Sequence, residues 1–190
     1  MLILRELAYG SRRFSELKAD LPGISANVLT QRLTEMEERQ LIVRKKLPPP
    51  ASVQVYEATP WALEAAPIIG KLGGWAARSP LHDPTLPFSH AAAMMSLQTM
   101  IDPKKAEGLK GRIGFIFGAV SYAGDLHNST FTPQRAPADG CDVVFETTPE
   151  GLAAVIYGGA PLDSVKVVGD RELAARFVRL FPLPEKVPAR

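Results

Sequence analysis

The sequence RRFSELKADLPGISANVLTQRLTEMEERQLIVRKK, residues 12–46, decides the fold of the first part of the chain. It predicts a short helix, a break at Gly23, a longer helix and then a β-strand. Ser25 is suited to begin the longer helix, because its hydroxyl can accept a hydrogen bond from an N–H group of the first turn. The apolar residues of that helix recur at helical spacing and predict one buried stripe, formed by Leu29, Leu33 and Met36.

The opposite face of this helix carries short polar or amide side chains. At about 100° per residue, Asn27, Gln31 and Thr34 point away from the stripe, and Thr30 lies near its edge. Asn and Gln can pair with two atoms of an adenine edge, and Thr can donate to bases or phosphates. A solvated helix face is the alternative interpretation. We favour a DNA-reading helix because a basic hairpin follows it directly.

The predicted hairpin joins two strand-like runs, residues 41–44 and 53–56. The prolines at 48–50 cannot donate to a sheet ladder, so they predict a stiff tip between the strands. Basic side chains lie at the entrance to this tip, and two more lie at the start of the short helix before the longer one. At both places they would contact phosphates or the minor groove. These basic residues are Arg12, Arg13, Arg44, Lys45 and Lys46.

Residues 2–59 thus contain three helices and a hairpin, in the order of a winged helix-turn-helix. The chain resembles the HxlR-type transcriptional regulators, winged-helix proteins of the MarR-like group, over residues 2–75. The resemblance rests on separated motifs in the family's order, Leu4–Leu7, Arg13–Leu17, Pro22–Ser25, Leu29–Leu33 and Leu41–Arg44. It implies a homodimer that binds a double-stranded operator. It also implies that the helix from Ser25, including Arg32, is the recognition helix and that residues 44–55 are the wing.

Two features are expected to differ from the family. The chain begins at Met1 inside what would be the second family helix, so we expect the first helix to be missing. The cysteine near the N-terminus of some relatives is absent, since Cys141 is the only cysteine. The family's dimerisation helix after the wing is predicted at residues 65–75. Its apolar spacing fits burial against the domain's own core or against a partner.

Length and composition limit the number of domains and the classes of protein to which the chain can belong. The 190 residues suffice for two small domains. Residues 1–80 carry a net charge of +3 and residues 81–190 one of −1. A single cysteine excludes an intramolecular disulfide and favours a cytoplasmic protein. No apolar run reaches the ~18 residues of a membrane span, and no signal peptide is evident. We expect no cofactor and no membrane association.

We predict an α+β protein with a winged helix-turn-helix domain at 1–78, a Pro-rich linker at 79–88 and a smaller α+β domain at 89–190. In the last domain, strands are expected at 111–118, 119–122, 126–132, 141–147 and 165–170, in a mostly antiparallel sheet. Helices are predicted at residues 91–100, after Thr148, and after Asp170.

This second part resembles the sterol-carrier-protein-2-like fold over residues 89–181. The resemblance rests on short motifs, Gly111–Ile113, Cys141–Thr147, Pro149–Leu152, Tyr157–Gly159 and Val165–Asp170. It implies an apolar tunnel for a lipid-like or other apolar effector. The residues available to line such a pocket are Phe115, Phe117, Tyr122, Phe131, Leu152, Ile156 and Phe177, and ordinary core packing is the alternative for each.

Two other functions stay open. The chain could be a non-catalytic carrier of a lipid or small apolar ligand, with the winged helix used for dimerisation. It could instead be an enzyme acting on an acyl substrate, but no nucleophile with a base, no metal-ligand spacing and no phosphate loop is present. We interpret Asp125 and His127 as polar residues of an exposed turn. The leading hypothesis is a DNA-binding repressor with an effector domain.

Overall fold

The computed structural model describes residues 1–50 and 52–188. The chain divides into two compact units, Met1–Ile69 and Gly70–Arg190. The division falls within the helix Ala66–Ala76, ahead of the expected linker. Residues 79–89, which include that linker, contain no helix or strand. The domain limits drawn from the sequence stay a prediction.

The first unit contains three helices, a hairpin and two further helical segments. They are α1 (Leu2–Leu7), α2 (Phe14–Asp20), α3 (Ala26–Glu38), β1 (Ile42–Lys46), β2 (Gln54–Ala58), α4 (Pro60–Leu63) and α5 (Ala66–Ala76), the last of which continues into the second unit. The strands are antiparallel, with Ile42 opposite Ala58. This confirms the winged helix-turn-helix order.

An apolar core holds these elements together. Leu17 of α2 and Leu29 and Leu33 of α3 are fully buried, which confirms most of the predicted stripe. Met36 is only partly buried and packs against the core. Gly23, in the turn between α2 and α3, has a φ of 89°. That conformation costs glycine little and other residues more, so it ends one helix and redirects the chain into the next.

The hairpin extends further than predicted. Lys45 and Lys46 lie within β1, opposite Val55 and Gln54, and not in the tip. The prolines at 48–50 follow the strand, as expected. Ala51, which belongs to the predicted tip, lies outside the described residues. The basic side chains are therefore fixed by a ladder of backbone hydrogen bonds, which limits the directions they can take.

The second unit combines a five-stranded sheet with helices. Its elements are α6 (His90–Met100), β3 (Gly111–Phe117), β4 (Val120–His127), β5 (Thr130–Gln134), β6 (Val143–Glu146), α7 (Pro149–Ile156), β7 (Lys166–Gly169) and α8 (Arg171–Phe177), with a 3₁₀ turn at Leu162–Ser164. The strand order is β5-β4-β3-β6-β7. Among the strands of the described residues, β3 and β6 are the one parallel pair in this sheet. The predicted α+β class and the mostly antiparallel sheet are confirmed.

One predicted strand is wrong. Residues 126–132 form the end of β4, a turn and the start of β5. Asn128 and Ser129 make the turn with φ values of 50° and 59°. Two successive residues with positive φ are the geometry of a tight two-residue hairpin, which usually contains glycine. Neither residue is glycine, the strongest signal for such a turn, although Asn and Ser are both common in turns.

Candidate DNA interface

Helix α3 presents a polar face to solvent. Its first turn is capped by Ser25, whose hydroxyl oxygen accepts a hydrogen bond from the Val28 amide at 3.2 Å. The residues predicted to contact bases or backbone are all exposed, namely Ser25, Asn27, Thr30, Gln31, Arg32 and Thr34. The buried stripe faces the core, so these side chains share the outward side of one helix.

The two threonine hydroxyls of this face are already donating. Thr30 Oγ1 donates to the Ala26 carbonyl at 2.9 Å, and Thr34 Oγ1 donates to the Thr30 carbonyl at 3.2 Å. A hydroxyl has one proton and two lone pairs. In this conformation the threonines therefore offer acceptors toward solvent, whereas the sequence suggested donors to bases and phosphates.

Glu35 connects two of the predicted contact residues. Its Oε1 accepts a hydrogen bond from Gln31 Nε2 at 3.0 Å, and its Oε2 pairs with Arg32 Nη1 at 2.7 Å. The hydrogen bond from Arg32 is the main cause that holds the pKa of Glu35 below its ordinary value of 4.5. The carboxylate is therefore charged at neutral pH. Glu35 was not predicted as a site residue from the sequence, although its spacing from Gln31 (i,i+4) and Arg32 (i,i+3) indicates a contact.

Val28 is a second candidate DNA contact that was not predicted from the sequence. Its side chain is 45% exposed in the first turns of α3. An apolar group at the surface of such a helix can contact the methyl group of a thymine. Its position outside the apolar stripe of Leu29 and Leu33 indicates that Val28 is exposed.

The wing carries exposed basic side chains, two of which are paired. Arg44 Nη2 lies 3.3 Å from Glu37 Oε2, and Lys45 Nζ lies 2.7 Å from Glu57 Oε1. Exposed pairs of this kind are worth about 0–1 kcal/mol, so an approaching phosphate can replace the carboxylate. Lys46 is exposed and forms no ion pair with any residue in the described part of the chain.

The prediction that Arg12 contacts phosphate is wrong. Its backbone bridges to Tyr56 of β2, with N–H···O distances of 2.9 and 2.8 Å in the two directions. This bridge places the side chain inside the unit, where it is only 4% exposed and pairs with Asp20. Arg13, one residue later, points to solvent. It remains available for a phosphate contact.

In the second unit, the residues predicted to line a ligand pocket form an aromatic core. Phe115, Phe117, Tyr122, Phe131, Leu152 and Phe177 are buried. Ring centroids of Phe115 and Phe177 lie 6.1 Å apart, and those of Phe131 and Phe177 lie 5.2 Å apart. Such direct ring contacts are those of ordinary core packing. Ile156 is half-buried and borders an open groove of about 620 Å³.

The groove beside Ile156 has a mixed lining of polar and apolar groups. Its residues are Lys105, Val155, Ile156, Gly159, Ala160, Pro161, Leu162, Ala175, Val178, Arg179, Phe181 and Pro182. Of the seven predicted pocket residues, Ile156 is the one that borders this groove. A ligand surface in this unit would therefore involve a different set of residues from the one that the sequence suggested.

Within the described residues of the second unit, Cys141, Asp125 and His127 form no activated arrangement. Burial is the main cause that raises the pKa of the Cys141 thiol above its ordinary value. Asp125 and His127 lie on β4 and not in a turn, which corrects the sequence interpretation. Both are exposed, and Asp125 Oδ1 lies 3.2 Å from Arg112 Nη1. Within residues 1–50 and 52–188, no group of three or more His, Cys, Asp or Glu side chains could hold a metal ion.

An exposed polar recognition helix beside a hairpin with exposed cations defines a winged helix-turn-helix protein, a class that binds double-stranded DNA. A match to the HxlR-like helix-turn-helix family covers residues 1–82. The chain belongs to this family.

Two curated relatives support the assignment. The uncharacterized HTH-type transcriptional regulator YvaP of Bacillus subtilis strain 168 is 39% identical over 75 residues, which are 40% of this chain and 69% of YvaP. The HTH-type transcriptional regulator YodB of the same strain is 29% identical over 75 residues, which are 40% of this chain and 67% of YodB. Both likenesses cover less than half of this chain.

Solved structures show weaker likenesses. The reduced form of YodB has a TM-score of 0.39 and 28% identity over 43% of this chain and 81% of YodB. The sec-alkylsulfatase Pisa1 from Pseudomonas sp. has a TM-score of 0.42 and 22% identity over 45% of this chain and 15% of its own. The resemblance of the second unit to the sterol-carrier fold stays a prediction. Among the described helices, none has the length and apolar character that crossing a membrane requires.

Proposed function

We propose that the chain is a sequence-specific transcriptional regulator that acts as a repressor by occupying an operator. The observation that carries the proposal is the exposed polar face of α3, with Asn27, Gln31 and Thr34 on the side opposite the core. Amide and hydroxyl groups supply the base contacts, because they match the donors and acceptors of the major groove. Lys46 and Arg13 supply phosphate contacts, which fix the register but do not select sequence.

The regulator acts as a homodimer in this proposal. Helix α5 exposes Ile68, Leu72 and Trp75, which recur at i, i+4 and i+7 on one helix face. Large apolar side chains on one exposed face are typical of a surface that another chain covers. A two-fold dimer presents two recognition helices to the half-sites of a palindromic operator.

The second unit serves as an effector domain in this proposal. The groove beside Ile156 is the feature that favours a ligand, since it is a concave surface whose lining includes apolar side chains such as Ile156, Leu162 and Phe181. A ligand there changes DNA affinity only if it binds the DNA-competent and incompetent states with different affinity. Native mass spectrometry of the purified chain tests this. Co-purified lipid on wild type that is lost in Ile156→Glu supports the groove, and equal lipid on both proteins contradicts it.

The DNA-binding proposal is tested with Gln31→Ala and Lys46→Ala in a binding titration against a selected operator and a scrambled duplex. Gln31→Ala is expected to weaken operator binding by about 1–3 kcal/mol and to leave scrambled DNA unaffected. Lys46→Ala is expected to weaken both and to reduce the slope of log K against log salt by about one unit. Equal losses for Gln31→Ala on the two duplexes would contradict base contact by α3.

A further inference from the structure

The contact between Gln31 and Glu35 fixes which way the Gln31 amide faces. An ionised carboxylate only accepts hydrogen bonds, so the group 3.0 Å from Glu35 Oε1 is the Gln31 NH₂ and not its carbonyl oxygen. One of the two amide N–H groups is used in this contact. The carbonyl oxygen and the second N–H stay available for a ligand.

Glu35 has a second contact, with Arg32. Its other oxygen, Oε2, pairs with Arg32 Nη1 at 2.7 Å. The two partners lie three and four residues before Glu35, so all three side chains meet on the same surface of α3. With both oxygens engaged, rotation of the carboxylate would break a charge-assisted hydrogen bond. The two contacts together favour one orientation of the carboxylate beside Gln31.

The carbonyl oxygen and the remaining N–H of Gln31 match the edge of one base better than those of the others. The major-groove edge of adenine offers one acceptor, N7, and one donor, the N6 amino group. A glutamine that presents one carbonyl oxygen and one N–H satisfies both. Guanine offers two acceptors, N7 and O6, and leaves the glutamine carbonyl without a donor. A glutamine free to rotate would discriminate between these edges less sharply.

We propose that Glu35 is a positioning residue that orients the Gln31 amide to select adenine in the operator. The inference rests on the proposed function, because it requires that α3 lies in the major groove of a specific site. Glu35 acts through Gln31 and needs no contact of its own with the base.

The test is selection of duplexes from a randomised pool by wild type, Gln31→Ala, Glu35→Ala and Glu38→Ala. Gln31→Ala identifies the base position that Gln31 contacts, because its preference is lost there. Glu38 is exposed on the same helix, so Glu38→Ala removes the same charge and controls for general electrostatics. Alanine favours helix, so neither glutamate variant should disturb α3, and circular dichroism checks that.

Glu35→Ala is expected to lower the preference for adenine at the Gln31 position about two- to tenfold, while other positions keep theirs. Glu38→Ala is expected to keep the wild-type preference at every position. An unchanged adenine preference in Glu35→Ala, or a Gln31 position at which wild type prefers another base, overturns the inference while the regulator proposal stands. A wild type that enriches no sequence overturns both.

Discussion

At the residue scale, the Arg12 guanidinium is a cation enclosed by the protein. It pairs with Asp20 and lies 3.7 Å from Glu16 Oε2, with only 4% of the residue exposed. Arg12→Ala leaves these carboxylates without their buried counter-charge, and we expect it to destabilise the chain by about 3 kcal/mol. Urea denaturation followed by circular dichroism measures the change. Arg13→Ala, the matched control at an exposed site, should stay within about 0.5 kcal/mol of wild type. Similar losses in both variants would contradict this assignment.

Tyr157 predicts a change of stability at high pH. Its hydroxyl forms a 2.6 Å hydrogen bond with Ser96 Oγ, and burial, the largest cause, raises its pKa from 10.0 to about 12. The folded state therefore favours the neutral phenol, whereas the unfolded chain loses the proton near pH 10. Stability from this group is complete below pH 10 and is lost as the pH rises toward 12.

Tyr157→Phe isolates that effect. At pH 8 the variant should be about 1 kcal/mol less stable, because the hydrogen bond to Ser96 is absent. At pH 11 the difference should shrink, since only wild type has lost stability by deprotonation of this group. Denaturant unfolding at the two pH values measures both free energies. A difference that is the same at pH 8 and pH 11 would show that the Tyr157 pKa is not raised.

Single residues differ in how far sequence determines their role. Arg12 and Arg13 look alike in sequence, and only the bridge between Arg12 and Tyr56 explains why one is buried and the other exposed. That bridge joins residues far apart in the chain, which local patterns do not report. By contrast, the exposed positions of Asn27 and Gln31 follow from helical periodicity alone and were predicted.

At the scale of elements, the turn between β4 and β5 carries a conformational cost. Ser129 has a φ of 59°. The backbone of a residue that carries a Cβ adopts this left-handed region at a cost of roughly 1–2 kcal/mol. Ser129→Gly relieves that cost but adds freedom to the unfolded chain, so we expect a net gain of about 0.5 kcal/mol. Thermal unfolding measures it. Ser121→Gly, within β4, should instead destabilise by about 0.5–1 kcal/mol, and a loss in both variants would refute the turn argument.

Elements whose ends carry a chemical signal were predicted well. Ser25, Thr148 and Asp170 each cap the helix that was expected to follow, by accepting a backbone N–H of its first turn. The prediction of one strand at 126–132 was wrong because Asn128 and Ser129 form a turn. Leu126 and Phe131 are an odd number of residues apart, so they would lie on opposite faces of a single strand, and this spacing already indicated a break. The position of the wing was predicted correctly, but its first strand extends two residues further than predicted. Lys45 and Lys46 pair with the second strand, and the residue type lysine does not indicate such pairing.

At the scale of the whole molecule, the exposed apolar face of α5 predicts self-association. Ile68 is 68% exposed and Trp75 is 69% exposed. Trp75→Glu is expected to weaken the homodimer at least about tenfold, because a buried tryptophan anchor is worth 2 kcal/mol or more. Sedimentation equilibrium measures the constant. Leu81→Glu, at an apolar residue that is 90% exposed and lies outside α5, is the control and should change it little. A monomeric wild type, or a Trp75→Glu variant that associates like wild type, would contradict the dimer proposal.

The two units were not equally open to prediction from sequence. In the first, separated motifs of the family constrain both fold and function, and the family assignment is confirmed. In the second, apolar residues such as Phe115 and Phe177 serve a core and a pocket equally well in sequence. Their mutual contacts decide for the core, and only three-dimensional packing supplies that information.

We propose that α3 and the wing bind a specific DNA sequence. Fluorescence anisotropy of wild-type protein, titrated at about 150 mM salt against the most enriched duplex and its scrambled counterpart, tests it most directly. We expect the enriched duplex to bind at least about 10³-fold more tightly than the scrambled one. Equal affinity on the two duplexes would contradict it, because only the sequence-independent attraction of cations to phosphates would then be present.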